Sequence, residues 1–313
     1  MLEGADVARR HMMSKLASVF GRTCARLLGA VLLLASYAKA VDPQDFVASL
    51  REMVPVPATL AFAFGLAVIG YEAGLGTALL GGSRRRGVLV LATATFLIFV
   101  GAVAWQLVRP GEAASCGCFG RLLERTPAQA LYEDVAFVIL SGCAWLGGAA
   151  PTAALRPWPV VLVAGTAVAL ALCAPWLPLD DHVTALAPGV TVAATHLDEV
   201  VPELRTGRHL VLLLDRADPA TSARIVDLNE RLKLPGGPTS VWGVADDDSR
   251  LAVAFLWSAG PAFQVRSAPP RMLRRLYRTL PRSALIDGGH VVATWSGFPS
   301  DATLDSLSRG ELP

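Results

Sequence analysis

The chain has 313 residues, of which 53% are hydrophobic and only 17% are charged. A soluble domain carries about 25% charged residues, so this deficit indicates a protein that contacts the lipid bilayer. The formal net charge of +2 is too small to indicate a nucleic-acid partner. Most of the apolar excess precedes about residue 180, and the remainder has the composition and size of an ordinary globular domain.

The first half of the chain is predicted to cross a membrane several times. A spanning helix needs about 20 mostly apolar residues, and five stretches meet this requirement to different degrees. They are residues 26–41, 58–80, 87–108, 131–150 and 159–177. The first stretch is the shortest, and it ends in Ala38-Lys39-Ala40, which resembles a signal-peptidase site. Cleavage there is an alternative that would leave the orientation of the other spans unchanged.

The distribution of basic residues predicts the orientation. Basic side chains precede the first span and follow the second, namely Arg9, Arg10, Lys15 and Arg22, then Arg84, Arg85 and Arg86. These two segments share one side of the membrane, and the positive-inside rule assigns that side to the cytoplasm. We therefore expect a multi-pass inner (cell) membrane protein with a cytoplasmic N-terminus. The segment after the third span and the C-terminal domain are then extracytoplasmic.

One ionisable residue, Glu72, interrupts the middle of the second predicted span. Ionisable groups in a membrane are costly and mark candidate functional sites, so Glu72 is a candidate for proton transfer or cofactor contact. The alternative is a neutral glutamic acid that hydrogen-bonds to a neighbouring helix. Lys39 is expected at the outer end of the first span, too far from Glu72 to pair, with its ammonium pointing outward. The many small residues around Glu72 predict close helix packing.

The segment ASCGCFGRL, residues 114–122, places Cys116 and Cys118 between the third and fourth predicted spans. An extracytoplasmic compartment favours disulfides, and the glycines beside the cysteines allow a small ring to close. Arg109 and Arg121 flank the pair and favour thiolate over thiol. A redox pair is the favoured interpretation, and a stabilising bridge is the main alternative. A metal site is less favoured because zinc needs four ligands, and the nearest downstream histidines belong to the C-terminal part of the chain.

Three sequence segments resemble a known family of membrane proteins. They are SYAKAVDPQDF in the first span, GYEAGLGTALL in the second and CGCFG after the third. Together they resemble MauE of methylamine utilisation and its DoxX-like relatives over about residues 25–150. The resemblance implies a role in disulfide formation or electron transfer for an extracytoplasmic partner. It carries that role to Cys116 and Cys118, and more loosely to Lys39, Asp42 and Glu72.

The C-terminal part has the alternating strands and helices of an α/β domain. An apolar strand at residues 209–215 precedes Asp218-Pro219, an N-cap acid followed by proline at the first helical position. A second strand is predicted from SVWGVADDD, residues 240–248, a basic helix near 271–278 follows, and two final strands meet at an Asp-Gly-Gly turn. The predicted order is β-α-β-α-β-β, with parallel pairing first and a hairpin last.

This order, with a proline just before the hairpin, resembles a thioredoxin-like domain of the TlpA or peroxiredoxin type. The resemblance implies a cis peptide bond before Pro281 and a CxxC motif at the start of the first long helix. The tetrapeptide at that position is Asp218-Pro219-Ala220-Thr221, which contains no sulfur. We therefore expect the domain to be inactive as an oxidoreductase. It is either a module that docks a partner beside Pro281, Asp218 and Thr221 or a remnant that serves only stability.

The predicted fold class is a membrane all-α helical bundle, four MauE-like helices plus one extra span, followed by an α/β thioredoxin-like domain. The expected division is a cytoplasmic segment, a MauE/DoxX-like domain, a fifth span, a linker and the outer domain: residues 1–24, 25–150, 151–180, 181–190 and 191–313.

The favoured function is redox support of an extracytoplasmic protein client by a thiol–disulfide oxidoreductase, with a quinone as a candidate acceptor and no metal. The main alternative is a non-catalytic assembly or scaffold factor in which Cys116 and Cys118 form a structural bridge. A solute transporter that uses Glu72 is less favoured, because no pair of broken helices is evident.

Overall fold

The computed structural model describes residues 2–108, 126–146, 157–232 and 239–311. The chain divides into two compact units, Met1–Leu177 and Pro178–Pro313. The first unit is helical, and the second contains a five-stranded sheet. The predicted fold class, a helical membrane part followed by an α/β domain, is therefore confirmed.

The described part of the first unit contains six α-helices. They are α1 (Leu2–Val41), α2 (Pro43–Met53), α3 (Ala58–Leu80), α4 (Arg86–Val108), α5 (Pro127–Leu146) and α6 (Pro157–Cys173), and a short 3₁₀ helix, Ala174–Trp176, follows. Four segments are long and apolar enough to cross a membrane: His11–Val41, Ala58–Leu80, Arg86–Trp105 and Pro157–Trp176. The unit is thus built for a lipid bilayer.

Two of the predicted spans differ from the structure. The first is much longer than residues 26–41, because α1 is one continuous helix of 40 residues. The span predicted over 131–150 corresponds to α5, which is not among the four apolar segments. Glu133 and Asp134 lie near the start of α5 and lower its hydropathy over the described residues.

Helices α1 and α3 approach each other closely at a pair of glycines. A Cβ atom built on Gly29 would lie 2.7 Å from the carbonyl oxygen of Gly76, and one built on Gly76 would lie 2.8 Å from that of Gly29. Both distances are far below van der Waals contact, so neither position has space for a side chain. The close packing predicted from the small residues around Glu72 is confirmed.

Helix α2 was not predicted. Asp42 caps its N-terminus by accepting a hydrogen bond from the backbone N–H of Asp45 at 3.3 Å, and Pro43 occupies the first helical position. This is the same Asp-Pro signal that correctly predicted the first long helix of the second unit. Its effect here is to turn the chain immediately after α1 and bring Phe46 back toward the bundle.

The second unit is built on a five-stranded mixed sheet in the order β3-β2-β1-β4-β5. The strands are β1 (Arg208–Leu213), β2 (Thr239–Asp246), β3 (Gln264–Ala268), β4 (Arg282–Asp287) and β5 (His290–Ser296). Strands β1, β2 and β3 are parallel, whereas β4 and β5 are antiparallel to their neighbours. The predicted parallel start and terminal hairpin are confirmed, and Gly288 and Gly289 adopt the positive φ angles of the hairpin turn.

Helices cover both faces of this sheet. They are α7 (Asp180–Val183), α8 (Val192–Thr195), α9 (Leu197–Val200), α10 (Pro219–Leu232), α11 (Ser249–Ala259), α12 (Pro270–Arg274) and α13 (Asp301–Ser308), with a 3₁₀ helix at Pro202–Arg205. Successive residues of β1 point to opposite faces. Val211 and Leu213 join the core on one face, and Leu210 and Leu212 join the core on the other. The sequence prediction omitted α11, β3 and α13.

Residues 178–190, where a linker and the end of the last span were predicted, belong to the second unit. Leu186 is fully buried in the core, and Arg282 of β4 is the largest fully buried side chain of the described residues. Arg282 donates hydrogen bonds to the Asp181 carboxylate at 2.8 Å and to the carbonyl oxygen of Leu186 at 2.7 Å. The segment after the last span is therefore fixed to the sheet.

Candidate functional site

Cys116 and Cys118, the predicted redox pair, lie outside the described residues, between the end of α4 and the start of α5. Their pairing and their side of the membrane stay predictions. The described part of the first unit nevertheless contains a cluster of buried charge, which centres on Lys39 of α1 and Glu72 of α3.

Lys39 and Glu72 form an ion pair inside the helical unit. The Nζ atom of Lys39 lies 2.9 Å from Oε1 and 2.8 Å from Oε2 of Glu72. Only 2% of the lysine side chain and 1% of the glutamate side chain are exposed. The prediction that Lys39 points outward and is too far from Glu72 to pair was wrong.

The error has a geometric cause. The depth comparison placed each charge at the height of its own Cα atom, but every Cα–Cβ bond of a helix tilts toward that helix's N-terminus. Helices α1 and α3 are antiparallel, as the contacts Gly29–Gly76 and Ser36–Ile69 require. Their side chains therefore lean toward each other along the shared axis, and the long lysine side chain spans the remaining distance.

Aromatic rings and a hydroxyl surround the ion pair. The Lys39 ammonium lies 5.3 Å from the ring centroid of Phe46 in α2 and 5.4 Å from that of Phe99 in α4, both within the range of cation–π contact. Ser36 donates a hydrogen bond to the Ile69 carbonyl oxygen at 2.8 Å one turn away. Three helices besides α1 thus contribute to the environment of one ammonium group.

This arrangement permits one defined kind of chemistry. A carboxylate and an ammonium in contact can exchange a proton and become a carboxylic acid and an amine without any change in the net charge of the site. In a water-free environment such a pair can release a proton to, or accept one from, a third group that approaches it. The proton-transfer role of Glu72 stays a prediction, and the structure adds Lys39 as the group in contact with it.

The tetrapeptide at which the resemblance placed a CxxC motif is an ordinary helix N-cap. The Asp218 carboxylate accepts hydrogen bonds from the backbone N–H groups of Ala220 at 3.0 Å and Thr221 at 3.2 Å, and from the Thr221 hydroxyl at 3.0 Å. The bond from the Ala220 N–H contributes most to holding the pKa of Asp218 below its ordinary value. Thr221 is buried. Asp218 and Thr221, which the resemblance aligned with the two CxxC cysteines, serve here to begin α10.

Pro281 lies at the same end of the strands as this N-cap. Arg282, the next residue, pairs with Leu213 at the end of β1, and the chain reaches Asp218 five residues later. The Leu280–Pro281 peptide bond is cis, as the thioredoxin resemblance implied. The structure therefore brings Pro281, Asp218 and Thr221 to one end of the sheet, where β1 ends and β4 begins.

Sequence reasoning missed Arg216, a buried residue that follows β1 at this end of the sheet. It donates hydrogen bonds to the backbone carbonyl oxygen of Asp246 and, at 3.3 Å, to the Ser267 hydroxyl, which ties together the ends of β1, β2 and β3. Burial lowers the pKa of Arg216 and raises the pKa of the Asp246 carboxyl. The available signal was a lone arginine among aspartates directly after an apolar strand.

Comparisons with known proteins divide the chain in the same way. Residues 17–149 match the model of the family described as "Methylamine utilisation protein MauE". Protein TlpB of Flavobacterium psychrophilum is 26% identical over 136 residues, which cover 41% of this chain and 37% of TlpB. The chain thus spans little more than a third of that relative. A solved thiol:disulfide interchange protein of the thioredoxin family from Chlorobium tepidum TLS is 19% identical, with a TM-score of 0.31, and the match covers 35% of this chain and 82% of that one.

The first unit is thus similar to MauE, and the C-terminal unit has the α/β sheet and the cis-proline that the thioredoxin resemblance implied. The MauE match includes Lys39, Glu72, Cys116 and Cys118.

Proposed function

We propose that this chain is an integral membrane redox protein that supports disulfide formation or electron transfer to an extracytoplasmic client protein. The observation that carries the proposal is the Lys39–Glu72 ion pair inside a MauE-like helical unit. We call it the sealed pair because both side chains are almost completely inaccessible to solvent. Buried charge in a membrane is expensive, so a completely buried pair with aromatic neighbours indicates a functional rather than a packing role. Cys116 and Cys118 of the same MauE-like region supply the thiol chemistry.

Oxidation of the client takes two thiol–disulfide exchange steps, and a quinone then reoxidises the cysteines. A client thiolate attacks one sulfur of the Cys116–Cys118 disulfide, and a mixed disulfide forms as the other cysteine leaves as a thiolate. The second client thiolate then attacks the client sulfur of the mixed disulfide, so the client is oxidised by two electrons and Cys116 and Cys118 become a dithiol. A membrane quinone takes up the two electrons and two protons of that dithiol and leaves as a quinol, which restores the disulfide.

The reoxidation step gives the Lys39–Glu72 pair its role. Quinone reduction needs two protons at the oxygen atoms of the ring, inside a membrane where water is scarce. Glu72 accepts a proton released by the dithiol as the Lys39 ammonium donates one to the quinone oxygen, so the net charge of the pair stays zero, and a proton then returns from Glu72 to Lys39. The pair is thus the proton-handling partner of the cysteines.

The thioredoxin-like domain serves as the docking module for the client in this proposal. Its catalytic positions hold Asp218 and Thr221, which have no sulfur and are hydrogen-bonded to each other. The end of the sheet that carries these residues and Pro281 is the proposed docking surface, and it has no sulfur that could react with the client. The basic segments before α1 and between α3 and α4 support an inner-membrane protein whose N-terminus is cytoplasmic. With α5 as a fifth span, as the sequence predicts, the C-terminal domain is extracytoplasmic.

Thiol trapping in intact cells tests this proposal. A membrane-impermeant maleimide is applied before and after a reductant, and the labelled cysteines are identified by mass spectrometry. We expect Cys116 and Cys118 to be protected before reduction and labelled after it. Labelling only in permeabilised cells, or thiols that are always free, would overturn the proposal.

A second measurement separates redox work from the scaffold alternative. The full chain with Cys116→Ala and Cys118→Ala should insert at normal levels but lose quinone-dependent oxidation of a reduced dithiol peptide. Cys173→Ala is the matched control, because Cys173 lies exposed at the end of α6, and it should keep the activity. Loss of the protein itself in the double variant, with no change of activity per molecule, would support a structural bridge instead.

A further inference from the structure

Helix α2 lies over the sealed pair at the end of the bundle where α1 ends. It joins two apolar segments, His11–Val41 and Ala58–Leu80, through the non-helical residues 54–57. Lipid does not accommodate exposed non-helical backbone, so this connection lies where the bilayer meets water. Phe46 of α2 is 9% exposed, and its ring centroid lies 5.3 Å from the Lys39 ammonium. The ring therefore shields the ammonium from the water at this end.

The surface on which α2 rests includes Gly65 of α3. A Cβ atom built on Gly65 would lie 3.2 Å from Cγ2 of Val47 and 3.6 Å from Cδ1 of Phe46. The lack of a side chain at Gly65 thus lets α2 approach α3 closely. A large side chain at this position would push α2 outward and carry Phe46 with it.

Gly65 lies at about the level of Lys39. The Ser36 hydroxyl of α1 donates to the carbonyl oxygen of Ile69 in α3, and the two helices are antiparallel. About one turn further along α1, at Lys39, corresponds to about one turn back along α3, at Gly65. Movement of α2 away from Gly65 therefore uncovers the ammonium rather than a distant part of the bundle.

Few buried side chains hold α2 in this place. Among the residues from Gln44 to Arg51, only Phe46 is buried, and residues 47–50 are half-buried. The helix ends at Met53, and Val54 after it is extended. A segment with few buried apolar contacts opens at a lower free energy than the packed helices around it. Helix α2 can therefore move while α1 and α3 stay together.

The predicted redox cysteines belong to the same end of the bundle. A short turn at residues 81–85 reverses the chain from α3 into α4, so α4 runs in the direction of α1. Phe99 in the second half of α4 accordingly contacts the Lys39 ammonium near the end of α1. The segment with Cys116 and Cys118 begins where α4 ends. A dithiol there approaches the sealed pair from the end that α2 covers.

We propose that α2 is a movable cover that controls access to the sealed pair. With α2 on Gly65, the pair is closed to water and to any group that approaches from this end. When α2 lifts, Phe46 leaves with it, and the Lys39 ammonium and the Glu72 carboxylate can exchange protons there. The inference rests on the proposed function, because it names what controls access to the same pair: protons of the dithiol reach Glu72 in the open state.

The test measures how often water-soluble ethyl(dimethylaminopropyl)carbodiimide reaches the pair in the full chain, reconstituted in lipid nanodiscs. The reagent activates the Glu72 carboxyl and the Lys39 nitrogen attacks it, so an amide forms and the reagent leaves as a urea that has taken up the elements of water. Mass spectrometry counts the peptide that links α1 to α3. All samples carry Cys116→Ala, Cys118→Ala and Cys173→Ala, so the proposed redox work plays no part.

A disulfide between α2 and α3 locks the cover. Val47→Cys with Gly65→Cys places two sulfurs within bonding reach, because Cγ2 of Val47 lies 3.2 Å from a Cβ built on Gly65. Gly70→Cys with Val168→Cys is the matched control, since it joins α3 to α6 across a similar distance of 3.1 Å. We expect the lock on α2 to lower the linked peptide about tenfold, and reduction of the lock to restore it. The control lock should leave the yield unchanged.

A second pair of variants moves the cover instead of fixing it. Gly65→Leu should push α2 off α3 and raise the linked peptide about threefold, whereas Gly70→Leu, which meets α6, should not. Three outcomes overturn the proposal: an undiminished yield in the locked chain, an equal loss with both locks, or no rise with Gly65→Leu. Because the readout needs neither a cysteine nor a quinone, such a failure is distinguishable from a failure of the proposed function in thiol trapping.

Discussion

Among the described residues, the two largest fully buried side chains are basic, one in each unit, and their carboxylate partners differ in exposure to water. In the membrane unit, 2% of the Lys39 side chain and 1% of that of its partner Glu72 are exposed. In the thioredoxin-like domain, 2% of the Arg282 side chain is exposed, whereas its partners Asp180 and Asp181 are 14% and 47% exposed. The hydroxyls of Thr294 and Ser296 donate to the same two carboxylates.

The difference separates two uses of buried charge. The carboxylates of Asp180 and Asp181 reach water and accept hydrogen bonds from hydroxyls, so they keep most of their solvation in the folded state. The Arg282 network therefore has a structural role, and we call it the clasp. The Lys39–Glu72 pair has lost its water, and the attraction between the charges must offset the whole desolvation cost. Such a pair is sensitive to any change of protonation, which suits proton transfer better than stability.

Breaking the sealed pair should give the largest effect. Lys39→Met leaves an uncompensated carboxylate in the membrane unit and should cost about 3–5 kcal/mol of unfolding free energy. Lys39→Met combined with Glu72→Met should recover most of that stability, yet quinone-dependent oxidation of a dithiol peptide should fall about a hundredfold. Denaturant unfolding in detergent and the oxidation assay measure the two effects. A double variant with full activity would contradict a role in proton transfer.

Removing the buried arginine of the other unit should cost less. Arg282→Met leaves two carboxylates that still reach water and hydroxyls, so we expect a loss of about 1–3 kcal/mol and unchanged activity per folded molecule. Arg309→Met is the matched control, since Arg309 pairs with Glu311 on the surface, and it should show no measurable loss. If Arg282→Met were costlier than Lys39→Met, the contrast between clasp and sealed pair would fail.

A third variant separates the two helices that hold the sealed pair. Gly76→Ala places a methyl group 2.8 Å from the Gly29 carbonyl oxygen, so α1 and α3 must move apart, at a cost of about 1–3 kcal/mol. Gly101→Ala in α4 is the control, because a Cβ there meets no atom within 4 Å. Thermal unfolding compares them, and equal melting temperatures for the two variants would show that the glycine contact is not required.

The smallest effect is expected at Asp218, and it depends on pH. The folded pKa of this carboxyl lies below its ordinary value, so its stabilising contribution is present above that ordinary value. It is lost as the pH falls through the depressed folded pKa. The stability difference between the native chain and Asp218→Ala should therefore shrink between pH 7 and pH 3. Asp218→Asn, which keeps the N-cap acceptor without the titration, should show a smaller pH dependence than the native chain.

The sequence correctly predicted those strands, helices and turns that depend on residues adjacent in the chain. The buried run of β1, the Asp-Pro start of α10 and the Gly288-Gly289 turn each depend on neighbouring residues, and all were found in the sequence. Strand β3 was missed because it is a short edge strand whose residues are mostly exposed and polar, so it lacks a buried run. Helix α2 was missed although Asp42-Pro43 is a helix-start signal, because the apolar span before it was not recognised as ending at residue 41.

The candidate site was harder to predict, because it depends on how helices face each other. Glu72 was identified from its position in an apolar stretch. Its partner was not, since pairing with Lys39 needs the antiparallel packing of α1 and α3 and the direction of their side chains. Phe46 and Phe99 carry no local signal at all, because an aromatic residue in an apolar helix is ordinary packing until a cation is found beside it.

The unbroken course of α1 has one mechanical consequence. Forty helical residues measure about 60 Å, about twice the hydrocarbon thickness of a bilayer. A stiff rod of this length transmits a twist or a push along its axis with little loss. A force applied to its first turns would consequently be felt at Lys39, two residues from the far end.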